Sequence, residues 1–190
     1  IDYSESFDFI VNGVMNTPTF FDKPAALSIV CHRNFQLSSD INWQSICTLQ
    51  IGDIAPATIL TDGVYITNTI ISGQNVSMLD DLSCSSIELG NCNFSTSNHN
   101  LNCSNYFTCA GIGNIYFGTS NITIQGLIQI LAYTEFFADS SLLICQNFDV
   151  NLGVLGMHFG SVIASNYVSI EGCFFKTLET PYLIGMANEI

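Results

Sequence analysis

Ser86-Ile87-Glu88-Leu89-Gly90-Asn91-Cys92-Asn93-Phe94 decides how this chain is read, because the phrase returns elsewhere in altered form. Ser169-Ile170-Glu171-Gly172-Cys173-Phe174-Phe175 echoes it, and Asn121-Ile122-Thr123-Ile124-Gln125-Gly126 matches the first half of both. Tyr65-Ile66-Thr67-Asn68-Thr69-Ile70-Ile71-Ser72-Gly73 is a further relative. Each is a short β-branched or aromatic run broken by Gly, Asn or Ser, the signature of brief strands between turns. The units start at intervals of roughly 20 to 25 residues, the period of one coil of a β-solenoid.

Such a coil contributes two or three short strands, and each inward side chain stacks on its equivalent in the next coil, about 4.8 Å away. Ile, Val and Phe are expected to fill the interior. Asn at the turns tolerates left-handed backbone and bonds its copies above and below. A stack built this way needs little charge, since like charges at one point of every coil would repel each other.

The composition agrees. Charged residues are 10% of the chain against 48% apolar, and from Leu89 to Thr134 there is no Asp, Glu, Lys or Arg. Between Arg33 and Lys176 no cation occurs, and the formal charge is -13. A chain of that sign repels polyanions, which excludes nucleic-acid binding, and it gives no purchase on anionic membranes. No apolar run reaches the roughly 18 residues of a membrane helix, so membrane insertion is not expected. A neutral, Asn-rich surface associates readily. No cofactor is expected; where two acidic surfaces meet, a bridging divalent cation such as calcium is the natural candidate to screen the excess charge.

Residues 1–58 hold three of the four prolines, the only Trp, and Lys23 and Arg33. They are assigned to an N-terminal β cap or leading subdomain, and 59–190 to the repeat region. Trp43 with Phe20, Phe21 and Phe35 is expected to form the core of that cap, in preference to a sugar platform. The chain starts at Ile1 without a basic or apolar leader, as a mature product or a segment of a longer protein would.

Eight cysteines, Cys31, Cys47, Cys84, Cys92, Cys103, Cys109, Cys145 and Cys173, make an even set in mostly polar surroundings, which points to disulfides in an oxidising compartment. Cys31 with Cys47 and Cys145 with Cys173 are the local pairings to test. Cys92, His99, Cys103 and Cys109 are the best zinc cluster, but their gaps do not match close-paired structural zinc modules. Sequons at Asn75, Asn93, Asn102 and Asn121 fit secretion.

On its repeated phrases, over about residues 60 to 178, the chain resembles the right-handed parallel β-helix, or pectin-lyase-like, superfamily. Within it, the likeness is to repetitive extracellular structural and adhesive proteins with phrases such as Ser-Ile-x-Gly-Cys-x-Phe. The rival architecture is an antiparallel β-sandwich or jelly roll.

The superfamily includes polysaccharide lyases and hydrolases, so catalysis has to be weighed. Uronate elimination needs a base and cations at the carboxylate, and the repeat region offers no Lys or Arg before Lys176. Glycoside hydrolysis needs paired carboxyls; Asp80 and Asp81 are the adjacent pair, with Asp62 or Glu88 on neighbouring coils, although a solvated turn explains them as well. Cys31 beside His32 makes no nucleophile pair, because neighbours on a strand point apart. His99, between Asn98 and Asn100, reads as a turn residue, and His158, between Met157 and Phe159, as a packed strand residue. Gly111-Ile112-Gly113 reads as a tight corner.

The expectation is therefore a secreted or surface-exposed, non-enzymatic β-helix, structural or adhesive, in a filament, sheath or appendage. Its partners would be copies of itself, other extracellular proteins or glycans, and Tyr182-Leu183-Ile184-Gly185-Met186 would be an apolar contact surface. The alternatives are a glycoside hydrolase centred on Asp80 and Asp81, and a receptor-binding part of a viral or cell-surface glycoprotein.

Overall fold

The computed structural model describes residues 9–10, 28–31, 34–37, 48–51, 56–131, 134–150 and 157–189. They form β1 (Phe9–Ile10), β2 (Ser28–Cys31), β3 (Phe35–Gln36), β4 (Thr48–Ile51), β5 (Ala57–Leu60), β6 (Ile66–Met78) and β7 (Leu82–Ser95). The chain continues through β8 (Leu101–Cys109), β9 (Gly113–Tyr116), β10 (Asn121–Ile130), β11 (Thr134–Val150), β12 (His158–Glu179) and β13 (Leu183–Glu189). No helix occurs among the described residues.

Every strand pairing in this set is parallel. That overturns the antiparallel sandwich alternative and gives a parallel β-solenoid of about 6 turns. Parallel neighbours need a long return path, and here the return is the rest of the coil itself. Side-chain hydrogen bonds between adjacent coils join residues 18 to 24 apart, close to the period read from the repeated phrases, and Tyr65 reaches Ser104 two coils on. The described strands of the leading segment join the same stack: β1 pairs with β3, β3 with β5, β2 with β4, and β4 with β6. Phe35 is fully buried there, whereas Phe20, Phe21 and Trp43 lie outside the described residues.

The interior is a set of columns, each made by one position of successive coils. One runs Thr69, Ile87, Phe107, Ile128, Phe148, Val168. A second runs Ile71, Leu89, Cys109, Ile130, Val150, and a third Ile66, Cys84, Cys103, Ile124, Cys145, Ala164. Every member is buried, because alternation puts each second residue inside. Burying one such Phe or Ile side chain contributes about 1.5 to 3 kcal/mol. Across the lumen, Phe117, Phe136, Phe159, Phe148 and Phe175 make edge-on, tilted and stacked contacts with centroids 5.2 to 5.7 Å apart for four of their pairs.

The long strands bend where the register slips, between Cys84 and Ser86 on β7, Ile124 and Leu127 on β10, and Cys145 and Asn147 on β11. These bulges turn one strand into two faces of the coil. At the Gly111-Ile112-Gly113 corner the coils approach so closely that a Cβ on Gly113 would sit 1.7 Å from the Cys92 carbonyl oxygen. Only glycine fits there.

Candidate functional site

Turns and strand starts pose the first chemical problem of a solenoid, since some of their N–H groups fall outside the strand ladder and still need acceptors. Side-chain oxygens of the adjacent coil supply them. Asn91 Oδ1 accepts from Ile112 N (2.8 Å), Asn93 Oδ1 from Asn114 N (3.0 Å), Asn98 Oδ1 from Thr119 N (3.0 Å) and Asn100 Oδ1 from Asn121 N (3.1 Å). Asn34 Oδ1 does the same for Thr58 N at 3.0 Å. Asn98 takes the left-handed conformation, φ 68°, as expected of Asn at a turn. Bonds between asparagine copies occur too, from Asn93 to Asn75 and from Asn166 to Asn147.

Asp80 and Asp81 belong to this system. The Asp80 carboxylate accepts from Thr61 N (3.0 Å), the Thr61 hydroxyl and Asp62 N, all on the preceding coil. Asp81 reaches the other way, accepting from Asn100 N (2.7 Å) and Asn100 Nδ2 (3.0 Å) on the following coil. Two adjacent acids thus tie three coils together. The Asn100 backbone N–H, its amide, and His99 with Nδ1 at 3.8 Å hold the Asp81 carboxyl below its ordinary value. A general acid needs the opposite shift. His99 is a turn residue, its N–H bonded to Thr96 O at 2.9 Å.

The described cysteines point inward. Cys84, Cys92, Cys103, Cys109 and Cys145 are free, buried thiols, and Cys31 and Cys173 are buried as well. Cys47 lies outside the described residues, and with it the Cys31–Cys47 pairing. Cys145 has Ala164 as its register partner on β12 rather than Cys173. Cys84 and Cys103 are register partners, with Sγ atoms 3.2 Å apart. Burial pushes the thiols of Cys92 and Cys173 up to about 11 and that of Cys145 to about 12. Cys109 is raised by burial and then by Cys92, and Cys103 by its hydrogen bond with Cys84 and then by burial. The zinc cluster considered above is not assembled: three members are in the core and His99 is at a turn. Among the described residues no group of three His, Cys, Asp or Glu comes together as a metal site.

All four sequons stand on strands. Asn75, Asn102 and Asn121 are exposed and Asn93 is half-buried. Asn93 spends its oxygen on Asn114 N and its amide on Asn75, so a glycan there would compete with the coil-to-coil bonds.

One outward column was not read from the sequence. Thr58, Ser77, Ser95, Tyr116, Phe137 and His158 occupy one position of successive coils. Tyr116 stacks on Phe137 at 4.7 Å and 5°, and His158 on Phe174 at 4.7 Å and 8°. His158 is exposed between buried Met157 and Phe159, which corrects its reading as a packed residue: alternation puts it outside. Beside the small hydroxyls lies a shallow groove of about 240 Å³, whose lining includes Asn75, Ser77, Asn93, Ser95 and Tyr116. Aromatic side chains one coil apart were the available signal, visible only once the sequence is folded at its true period.

The last described coil exposes apolar side chains. Leu183 continues the column whose previous members Phe148 and Val168 are 0% exposed, yet it is 42% exposed itself. Tyr182 (68%) and Ile184 (59%) flank it.

Comparisons with protein-family models, curated proteins and solved structures find no match. A functional reading therefore rests on the chemistry of these surfaces.

Proposed function

We propose that this chain is a non-enzymatic structural or adhesive β-solenoid module that works outside the cell, as part of a surface filament, sheath or appendage. In this reading it is a right-handed β-helix in the style of the repetitive extracellular members of the pectin-lyase-like superfamily. The observation that carries it is the apolar face of the last described coil, where Leu183 continues a buried column yet is half exposed, with Tyr182 and Ile184 exposed beside it. Another coil stacked on β13 would bury that apolar surface and pair its edge, and a second copy of this chain is the occupant proposed for it. Asp80 and Asp81 support the non-enzymatic half, because their oxygens serve backbone N–H groups of neighbouring coils.

Sedimentation velocity across a concentration series tests the proposal. Association that weakens in Ile184→Glu supports it, and a monomer at every concentration contradicts it. Chelation of calcium should loosen the assembly if divalent ions offset the charge of -13; assembly indifferent to chelator and salt removes calcium from the account.

A second reading has one specific observation in its favour. The groove at Tyr116 pairs an aromatic wall with Ser and Asn side chains, the lining that holds a neutral sugar. Glycan-array binding lost in Tyr116→Ala supports it, and no binding by the parent chain counts against it.

A further inference from the structure

We propose that Cys84 and Cys103 form a disulfide that staples two consecutive coils. The inference is independent of the functional reading above. In the interior column running Ile66, Cys84, Cys103, Ile124, Cys145, Ala164, two cysteines fall on consecutive coils. In-register parallel neighbours lie about 4.8 Å apart, inside the Cα separation a disulfide spans. Both side chains point inward, and their Sγ atoms stand 3.2 Å apart, well inside ordinary non-bonded sulfur contact. Cys92 also raises the thiol of Cys109, but they are not register partners: Cys92 pairs with Gly73, and Cys109 with Leu89 and Ile130.

The chemistry is exchange with a low-molecular-weight disulfide such as oxidised glutathione. One cysteine thiolate attacks a sulfur of the donor, breaking its S–S bond and releasing one thiol, which takes up the proton the cysteine lost. The second cysteine thiolate then attacks the protein-bound sulfur, forming the Cys84–Cys103 bond and releasing the second thiol. Two protein thiols are oxidised and one donor disulfide is reduced to two thiols. Both sulfurs are buried in the finished solenoid, so the exchange belongs to the stage when these coils are still open.

The test is to unfold the 190-residue chain in urea with oxidised glutathione, dilute to refold, alkylate the remaining thiols and digest without reductant. Mass spectrometry should show one cross-linked peptide joining Cys84 to Cys103, and the oxidised chain should unfold at higher urea than the reduced one. Alkylation of both residues, glutathione retained on either, or a link from either to another cysteine overturns the proposal. The same digestion of chain exported to an oxidising compartment repeats the readout without a refolding step.

Discussion

Thr69 sits in an interior column with Ile87, Phe107 and Ile128, and its buried hydroxyl finds no hydrogen-bond partner among the described residues. A buried donor left unmade costs about 1 to 3 kcal/mol, so Thr69→Val should stabilise the chain by about 1 kcal/mol in urea unfolding. A loss of stability would mean that the hydroxyl has a partner. At the surface, Asp81 holds the Asn100 backbone N–H from an exposed carboxylate, and water can partly replace it. Asp81→Ala should cost about 1 kcal/mol after that discount. The folded-state value lies below the ordinary 3.8, so the contribution is present above about pH 4 and disappears as pH falls through the lowered value. Asp81→Asn should lack that acid-side slope when urea midpoints are followed with pH.

Elements stand or fall by how closely their coils approach. A Cβ at Gly113 meets the Cys92 carbonyl backbone, which cannot move aside without breaking the stack, so Gly113→Ala should cost several kcal/mol or prevent folding. Gly63 has φ 79° and nothing within 4 Å of an added Cβ, so Gly63→Ala should cost only about 1 to 2 kcal/mol for the left-handed backbone. Circular dichroism and urea melts of the pair separate close packing from backbone strain. The period and the apolar interior were legible in the repeated phrases, but their phase was not. Ile170 looks like the equivalent of Ile87, yet Ile87 shares its column with Val168, two residues earlier. A slip of two keeps every side chain on its face, so alternation alone cannot fix register. Bulges and turn bonds fix it instead. The same blindness hid the outer column of Tyr116, Phe137 and His158, whereas the turn role of Asn and the apolar Tyr182-Leu183-Ile184 surface could be read locally.

At the scale of the whole molecule, the scarcity of cations becomes a property of the stack. Among the described residues, turn amides and paired columns do most of the work of holding coils together, so salt acts mainly by screening the repulsion of the -13 charge and should raise the urea midpoint modestly at neutral pH. Alkali acts differently. Cys92 and Cys173 are raised to about 11 and Cys145 to about 12, so in the reduced chain their contribution is complete below about pH 9. It is lost as pH rises toward those folded values, and urea midpoints should fall over that window. In the proposed function, the exposed apolar face at Leu183 gives the molecule a direction of growth. Electron microscopy of the purified chain tests that claim most directly: the account expects rods that lengthen with concentration by end-to-end stacking, and uniform particles one chain long at every concentration would contradict it.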